Sequence, residues 1–207
     1  MSAVWLYLCD DLPAPGSGFV AEHLPRLPPF RQEKCARYHR DSDKIACIVS
    51  YLLLSKGLRE HYGLESSGEF SCNRHGKPYL KDHPEVFFNL SHCKCGVACA
   101  LANVEVGVDI QDVRPFSASL ARRICSEREQ RELSASADPA KLFCRFWTEK
   151  ESYAKAWGIS VVTLFGKDLP GGAAAYRETG DYCMTLRCKD TQGETPRAEV
   201  FFEGHFK

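Results

Sequence analysis

The stretch "VEVGVDIQDV", residues 104–113, sets one acid, Asp109, inside an apolar run. Side chains alternate along a strand, so Val104, Val106, Val108 and Ile110 share one face, and Glu105, Gly107, Asp109 and Gln111 share the other. Asp109 and Gln111 therefore project side by side, with space beside them at Gly107. Asp112 is adjacent in sequence but faces the opposite side. An acid so placed is either the solvent-facing residue of a half-exposed strand or a group reaching toward something positive.

The surrounding patterns place this strand in a mixed fold. "VFFNLSH" and "GVACALA" read as strands, and so does the N-terminal "MSAVWLYLCDDLPAPG", which lacks a basic leader region. From Asp41 to Tyr62 the apolar residues Ile45, Ile48, Val49, Leu52 and Leu53 repeat on one face of a helix that Gly63 ends. A helix is expected over 117–132, broken around "SERE", and a second from Pro139 to Trp157, stopped by Gly158. "LPAPGSG" and "LPRLPPF" read as loops, and "SCNRHGKPYL" as a turn feeding a short strand. The tail from Gly171 alternates strands and turns. Each half runs strand, helix, then several strands. That is an α+β architecture with two lobes of similar order, 1–104 and 105–207, although no residue-level repeat accompanies it.

The chain has 207 residues, a formal net charge of zero and eleven cysteines. A neutral balance supplies no bulk field for nucleic acid or an anionic membrane, so an anionic ligand needs a local cluster of cations. No stretch approaches the roughly 18 apolar residues of a membrane span. With no export signal and an odd cysteine count, the thiols read as reduced and the protein as cytoplasmic. "HCKCGVAC" raises a zinc reading through His92, Cys93, Cys95 and Cys99, with Cys72 and His75 as further candidates. The cluster lacks a paired C-x-x-C, so buried free thiols are the stronger expectation.

A second segment bears on Asp109. "FWTEKESYAKAWG" sets Thr148, Glu151 and Lys155 on one helical face. Two carboxylates, an amide and a lysine from two elements could meet at one point. Spacing by itself favours a plainer reading, a surface Glu151–Lys155 ion pair contributing about 0.3–0.5 kcal/mol.

The residues themselves shift the weight. "GVDIQDVRP", followed some forty residues later by Trp147, Thr148, Lys150, Glu151, Ser152 and Lys155, resembles the 4′-phosphopantetheinyl transferases of the surfactin-synthetase-activating type. Upstream, "HGKPYL" and "VFFNLSH" resemble the family's G-K-P and N-x-S-H motifs. "RQEKCARYHRDSDKIACIVSYLLL" resembles its basic stretch and first long helix.

The resemblance implies transfer of the phosphopantetheine arm of coenzyme A to a serine of an acyl or peptidyl carrier protein, with Mg²⁺ and with release of adenosine 3′,5′-bisphosphate. It also implies a monomer of two pseudo-twofold lobes, each like one subunit of the smaller holo-acyl-carrier-protein synthases, with a cleft between them. By motif position, Asp109, Gln111 and Glu151 would meet the metal. Glu151 and Lys155 would act on the transferring phosphate, with Glu129 nearby. Arg31, Lys34, Lys44, Lys77, Ser91, His92, Lys150 and Lys155 would bind coenzyme A. Alone, Glu129 reads equally as a solvated helix acid, Arg31 as a solvated cation and His92 as a packed histidine. Gln111 stands where the family often has Glu, so two carboxylates are expected at the metal. The family's usual last strand has no counterpart before Lys207, which would leave Phe206 near an open edge. A relative that binds coenzyme A or a carrier without catalysis is the competing reading.

Overall fold

A computed structural model describes residues 3–65, 70–73, 76–173, 175–189 and 198–204. Its architecture is α+β, as the periodicities indicate. Strand β1 (Val4–Asp11) lies between β5 (Gly96–Ala102), antiparallel to it, and β9 (Glu199–Gly204), parallel to it, while β4 (Phe87–Cys93) pairs with the far side of β5. A second sheet holds β6 (Val106–Asp112), β8 (Tyr182–Cys188) and β7 (Ala175–Glu178), all antiparallel in that order. The hairpin of β2 (Phe70–Cys72) and β3 (Pro78–Leu80) stands apart. Its first strand was not anticipated.

Alternation along the strands explains the layering. Tyr7, Cys9, Val97, Cys99 and Leu101 point to one side of the larger sheet and pack with Ile45, Ile48, Leu53 and Leu58 of α3 (Asp41–Tyr62). Leu6, Leu8, Ala98 and Ala100 point to the other side and pack with Val106, Val108, Ile110, Met184 and Leu186. The sheets are thus stacked face to face. Helix α6 (Pro139–Trp157) covers the outer side of β6 and β8. Each buried Leu or Ile contributes about 1.5–3 kcal/mol relative to its exposed state.

The helix ends follow local chemistry. Gly63 is left-handed at φ 66°, and the N–H of Leu64 reaches back to the Leu58 carbonyl, closing α3. Asp138 caps α6 by accepting the Lys141 N–H at 3.0 Å, Pro139 begins the helix and Gly158 ends it. The break expected around "SERE" separates α4 (Ala118–Ile124) from α5 (Glu127–Ala135), where Ser126 and Glu129 form a reciprocal capping box.

One reading needs correction. "LPRLPPF" is not a loop throughout, because it contains a 3₁₀ turn (Leu24–Arg26) and the start of α2 (Pro29–Ala36), which follows the short α1 (Phe19–His23). Proline is well suited to the first helical turn, where its missing N–H costs nothing. Strand β9 pairs with β1, so a strand from the 105–207 half completes the larger sheet. Phe206 and His75 lie outside the described residues. Among those described, no helix is long and apolar enough to cross a membrane.

Candidate active site

Gly107 decides how closely α6 approaches β6. A Cβ at that position would lie 2.1 Å from the Ser152 carbonyl oxygen and 2.4 Å from the Ala156 nitrogen. The absence of a side chain lets the helix backbone rest on the strand, which brings Lys155 over Asp109. The Lys155 Nζ donates to Asp109 Oδ1 at 2.6 Å and to the Val108 carbonyl at 3.2 Å.

Asp109 is 6% exposed. Its Oδ1 also accepts the Ser91 hydroxyl at 2.8 Å, whereas its Oδ2 is buried and has no hydrogen-bond partner. A bare buried carboxylate oxygen is costly, and it is the kind of acceptor that a hard cation satisfies. Glu151 stands one turn before Lys155, half-buried. Desolvation raises its pKa and the Asp109 charge adds to this, against the pull of Lys155. Gln111 is half-buried on the same face of β6, opposite Cys183. Asp112 turns away, and its Oδ1 accepts the Cys95 N–H at 3.3 Å. Among the described residues, no three His, Cys, Asp or Glu side chains form a metal-binding group. Two carboxylates, Asp109 and Glu151, act on each other here, with Gln111 two residues along β6 from Asp109.

The N-x-S-H motif joins the two sheets. Asn89 Oδ1 accepts the Val108 N–H at 2.9 Å, and Ser91 Oγ accepts the Ile110 N–H at 3.3 Å. Two side chains on one face of β4 thus satisfy backbone donors along the edge of β6. Ser91, expected on a phosphate, is instead 8% exposed and committed to Ile110, Asp109 and Lys155. Asn89 was missed as a functional residue; its i, i+2 spacing to Ser91 was the available signal.

His92, next along β4, is exposed. Desolvation lowers its pKa, and the charges acting on it are those of Asp43, Lys34, Lys155 and Asp109. A cavity of about 530 Å³ opens here, lined by Pro13, Asp43, His92, Lys94, Gln111 and Arg114 among others. Lys34 is exposed near the end of α2, its pKa lowered by desolvation and then by the Arg31 charge. Lys44 is half-buried in the first turn of α3, where its carbonyl accepts the Cys35 thiol at 3.8 Å. A second cavity, of about 420 Å³, shares Gln111, Asp112 and Arg114 with the first and is otherwise lined mostly by apolar residues including Leu120, Phe143 and Trp147.

Four expected site residues are engaged elsewhere. Arg31 is 3% exposed, with its guanidinium donating to the Cys47 carbonyl at 2.8 Å and lying over the Tyr51 ring. Lys77 Nζ is held by Glu105 at 2.6 Å and by the Val106 carbonyl at 3.0 Å. Lys150 and Glu129, expected on coenzyme A and near the chemistry, are 0% and 2% exposed and paired with each other at 2.9 Å. A fully buried ammonium has no surface to offer a soluble ligand. The zinc reading also fails among the described residues. Cys93 ends β4 and Cys95 lies in the β4–β5 turn, Cys99 points into the α3-facing core, and burial drives the Cys93 and Cys99 thiols upward in pKa.

The chain is similar to known proteins. A family profile described as the 4′-phosphopantetheinyl transferase superfamily matches residues 105–194. The 4′-phosphopantetheinyl transferase Sfp of Bacillus subtilis (strain 168) is 31% identical over 135 residues, covering 64% of this chain and 60% of that protein. A Synechocystis sp. (strain ATCC 27184 / PCC 6803 / Kazusa) protein provisionally named for the same activity is 30% identical over 165 residues, 72% of this chain and 67% of its own length. The 4′-phosphopantetheinyl transferase HetI of Nostoc sp. is 36% identical over 104 residues, 46% of this chain and 44% of that protein. The chain belongs to the 4′-phosphopantetheinyl transferase superfamily. It spans about three fifths of the length of the Bacillus subtilis relative.

Proposed function

We propose that the chain transfers the 4′-phosphopantetheine arm of coenzyme A to a serine hydroxyl of an acyl or peptidyl carrier protein. The serine oxygen would bond to the β-phosphorus while the bond to the bridging oxygen breaks. The electron pair would leave with the α-phosphate as adenosine 3′,5′-bisphosphate, and the serine proton would pass to a base. The observation that carries this reading is the meeting of Lys155, Asp109 and Ser91, with one Asp109 oxygen bare and Glu151 one turn away.

Each residue has a definable part. Lys155 is a cation aimed at the point where pyrophosphate charge would sit. Glu151, with its pKa raised by desolvation, is better suited to accept the serine proton than an ordinary surface carboxylate. Asp109 and Glu151, with Gln111 beside them, are the residues that would hold Mg²⁺, and the bare Asp109 oxygen fits that use. Bound there, Mg²⁺ would neutralise pyrophosphate oxygens. His92 lines the space in which the 3′-phosphate end of coenzyme A would lie, and the Lys34 charge acts on that histidine.

The two cavities that share the 111–114 wall suit two substrates meeting at Gln111, with coenzyme A on the His92 side and the carrier on the apolar side. Arg114 and the α4 residues Arg122 and Arg123 would face the carrier's acids. We also read the stacked sheets as two pseudo-twofold lobes, 1–104 and 105–207, exchanging β9 and acting as a monomer.

The test is incubation with coenzyme A, Mg²⁺ and an apo carrier, followed by mass spectrometry. A mass gain of one phosphopantetheine arm is expected. Binding of both partners without a mass gain would favour a non-catalytic relative, a reading that Gln111 in place of a third acid supports.

A further inference from the structure

The Lys150–Glu129 pair is the most deeply buried ion pair among the described residues, and neither side chain has a face toward the cavity at His92. It belongs to a closed set of contacts. Glu129 Oε2 accepts both Lys150 Nζ at 2.9 Å and the Ser126 N–H at 2.8 Å. Lys150 Nζ also donates to the Lys167 carbonyl at 2.7 Å, and the Ser126 hydroxyl donates to Asp168 at 2.6 Å. Three segments are thereby clasped: the start of α5, the middle of α6, and residues 167–168, beyond the 3₁₀ turn (Val161–Leu164) that follows α6.

Buried ion pairs are weak devices for stability, because desolvation consumes most of the Coulomb gain. What this pair can do is orient. The α6 face against the smaller sheet is built from Thr148, Ser152 and Ala156, small side chains that bring the helix close to Gly107. That face is keyed by polar contacts more than by bulk: the Cys144 thiol donates to the Gln111 carbonyl at 3.3 Å, Thr148 bonds Thr185 at 2.9 Å, and Lys155 reaches Asp109 at 2.6 Å. Lys150 immediately precedes Glu151, so whatever holds Lys150 also sets the direction of Glu151 and, one turn on, of Lys155.

We infer that Lys150 and Glu129 are positioning residues that fix the rotation of α6 and so present Glu151 and Lys155 to Asp109. The inference rests on the proposed function for its catalytic consequence and on geometry alone for its effect on ion binding.

The test uses the full chain with a double substitution, Glu129→Leu with Lys150→Met, which replaces the pair by apolar groups of similar size and should fold. Measurements are the melting temperature, Mn²⁺ affinity by water-proton relaxation, and kcat and KM for transfer. A melting temperature close to the parent's is expected, with roughly a 10–100-fold loss in Mn²⁺ affinity or kcat and little change in carrier KM. Parent-like Mn²⁺ affinity and kcat would overturn the inference. Should the double variant not fold, Glu129→Gln keeps the shape and removes the charge, and parent-like values there overturn it equally. A parent that binds Mn²⁺ but transfers nothing sinks the proposed function alone; one that does neither sinks both.

Discussion

Lys155 on α6 and Asp109 on β6, 46 residues apart in sequence, meet at 2.6 Å, and only one of the two Asp109 oxygens takes part. The pair defines a point where a phosphate or a metal ion would compete for both partners. Asp109→Ala should leave the fold intact while transfer falls by roughly 10²–10³-fold, as expected for loss of one group facing developing charge. Gln111→Ala should cost much less, and Gln111→Glu should lower the Mg²⁺ concentration needed for half-maximal rate. Activity against Mg²⁺ concentration for the three variants checks this. Equal losses at Gln111 and Asp109 would make Gln111 a full ligand.

Gly107 tests the closeness of the same two elements. Gly107→Ala puts a methyl group 2.1 Å from a backbone oxygen that cannot move without its helix. Overpacking of this kind costs about 1–3 kcal/mol. The variant should melt lower and lose transfer out of proportion, because Lys155 is lifted from Asp109. Denaturant titration beside kcat would reveal it, and unchanged values in both would refute the packing argument.

Ser91 and His92 are neighbours with different work. Ser91→Ala leaves the Ile110 N–H buried without its acceptor, a loss of about 1–3 kcal/mol in stability. His92→Ala should be nearly neutral for stability but should weaken coenzyme A more than 3′-dephospho-coenzyme A. Calorimetric titration with both ligands separates the cases, and equal weakening would remove His92 from the 3′-phosphate.

Acid should destabilise the fold through His61. Its ring stacks on Trp5 at 4.1 Å and its Nε2 lies 2.8 Å from the Tyr7 hydroxyl. Burial lowers its pKa, against the opposing pull of Glu60 and Glu199. In the window below the ordinary histidine value of about 6.5, the unfolded chain therefore binds more protons. Stability is complete above that value and declines as pH falls through it. His92, lowered in the same direction, adds to the slope. Melting temperatures at about pH 7.5 and about pH 5.5 should differ less in His61→Gln than in the parent. An equal difference would assign the slope to other groups.

The apolar cavity offers a separable test of carrier docking. Leu120 is 44% exposed on its rim. Leu120→Asp places an acid where an acidic carrier surface would approach, so carrier KM should rise with kcat and coenzyme A affinity unchanged. A carrier KM indifferent to this change would move the docking surface elsewhere.

Local chemistry in the sequence determined much of this molecule. The limits of α3 and α6 follow from apolar period, caps and terminal glycines. The common face of Gly107, Asp109 and Gln111 follows from strand alternation. Tertiary structure decided which of the expected groups are free to act. Lys77 is taken by Glu105, 28 residues away, and Lys150 by Glu129 and the Lys167 carbonyl. The β9 strand returns to pair with β1, aligning Glu199 with Trp5. A lysine's residue type and helical position do not show whether its ammonium faces solvent or a buried acid. That depends on segments brought together only when the sheets stack, where desolvation makes every unpaired charge costly.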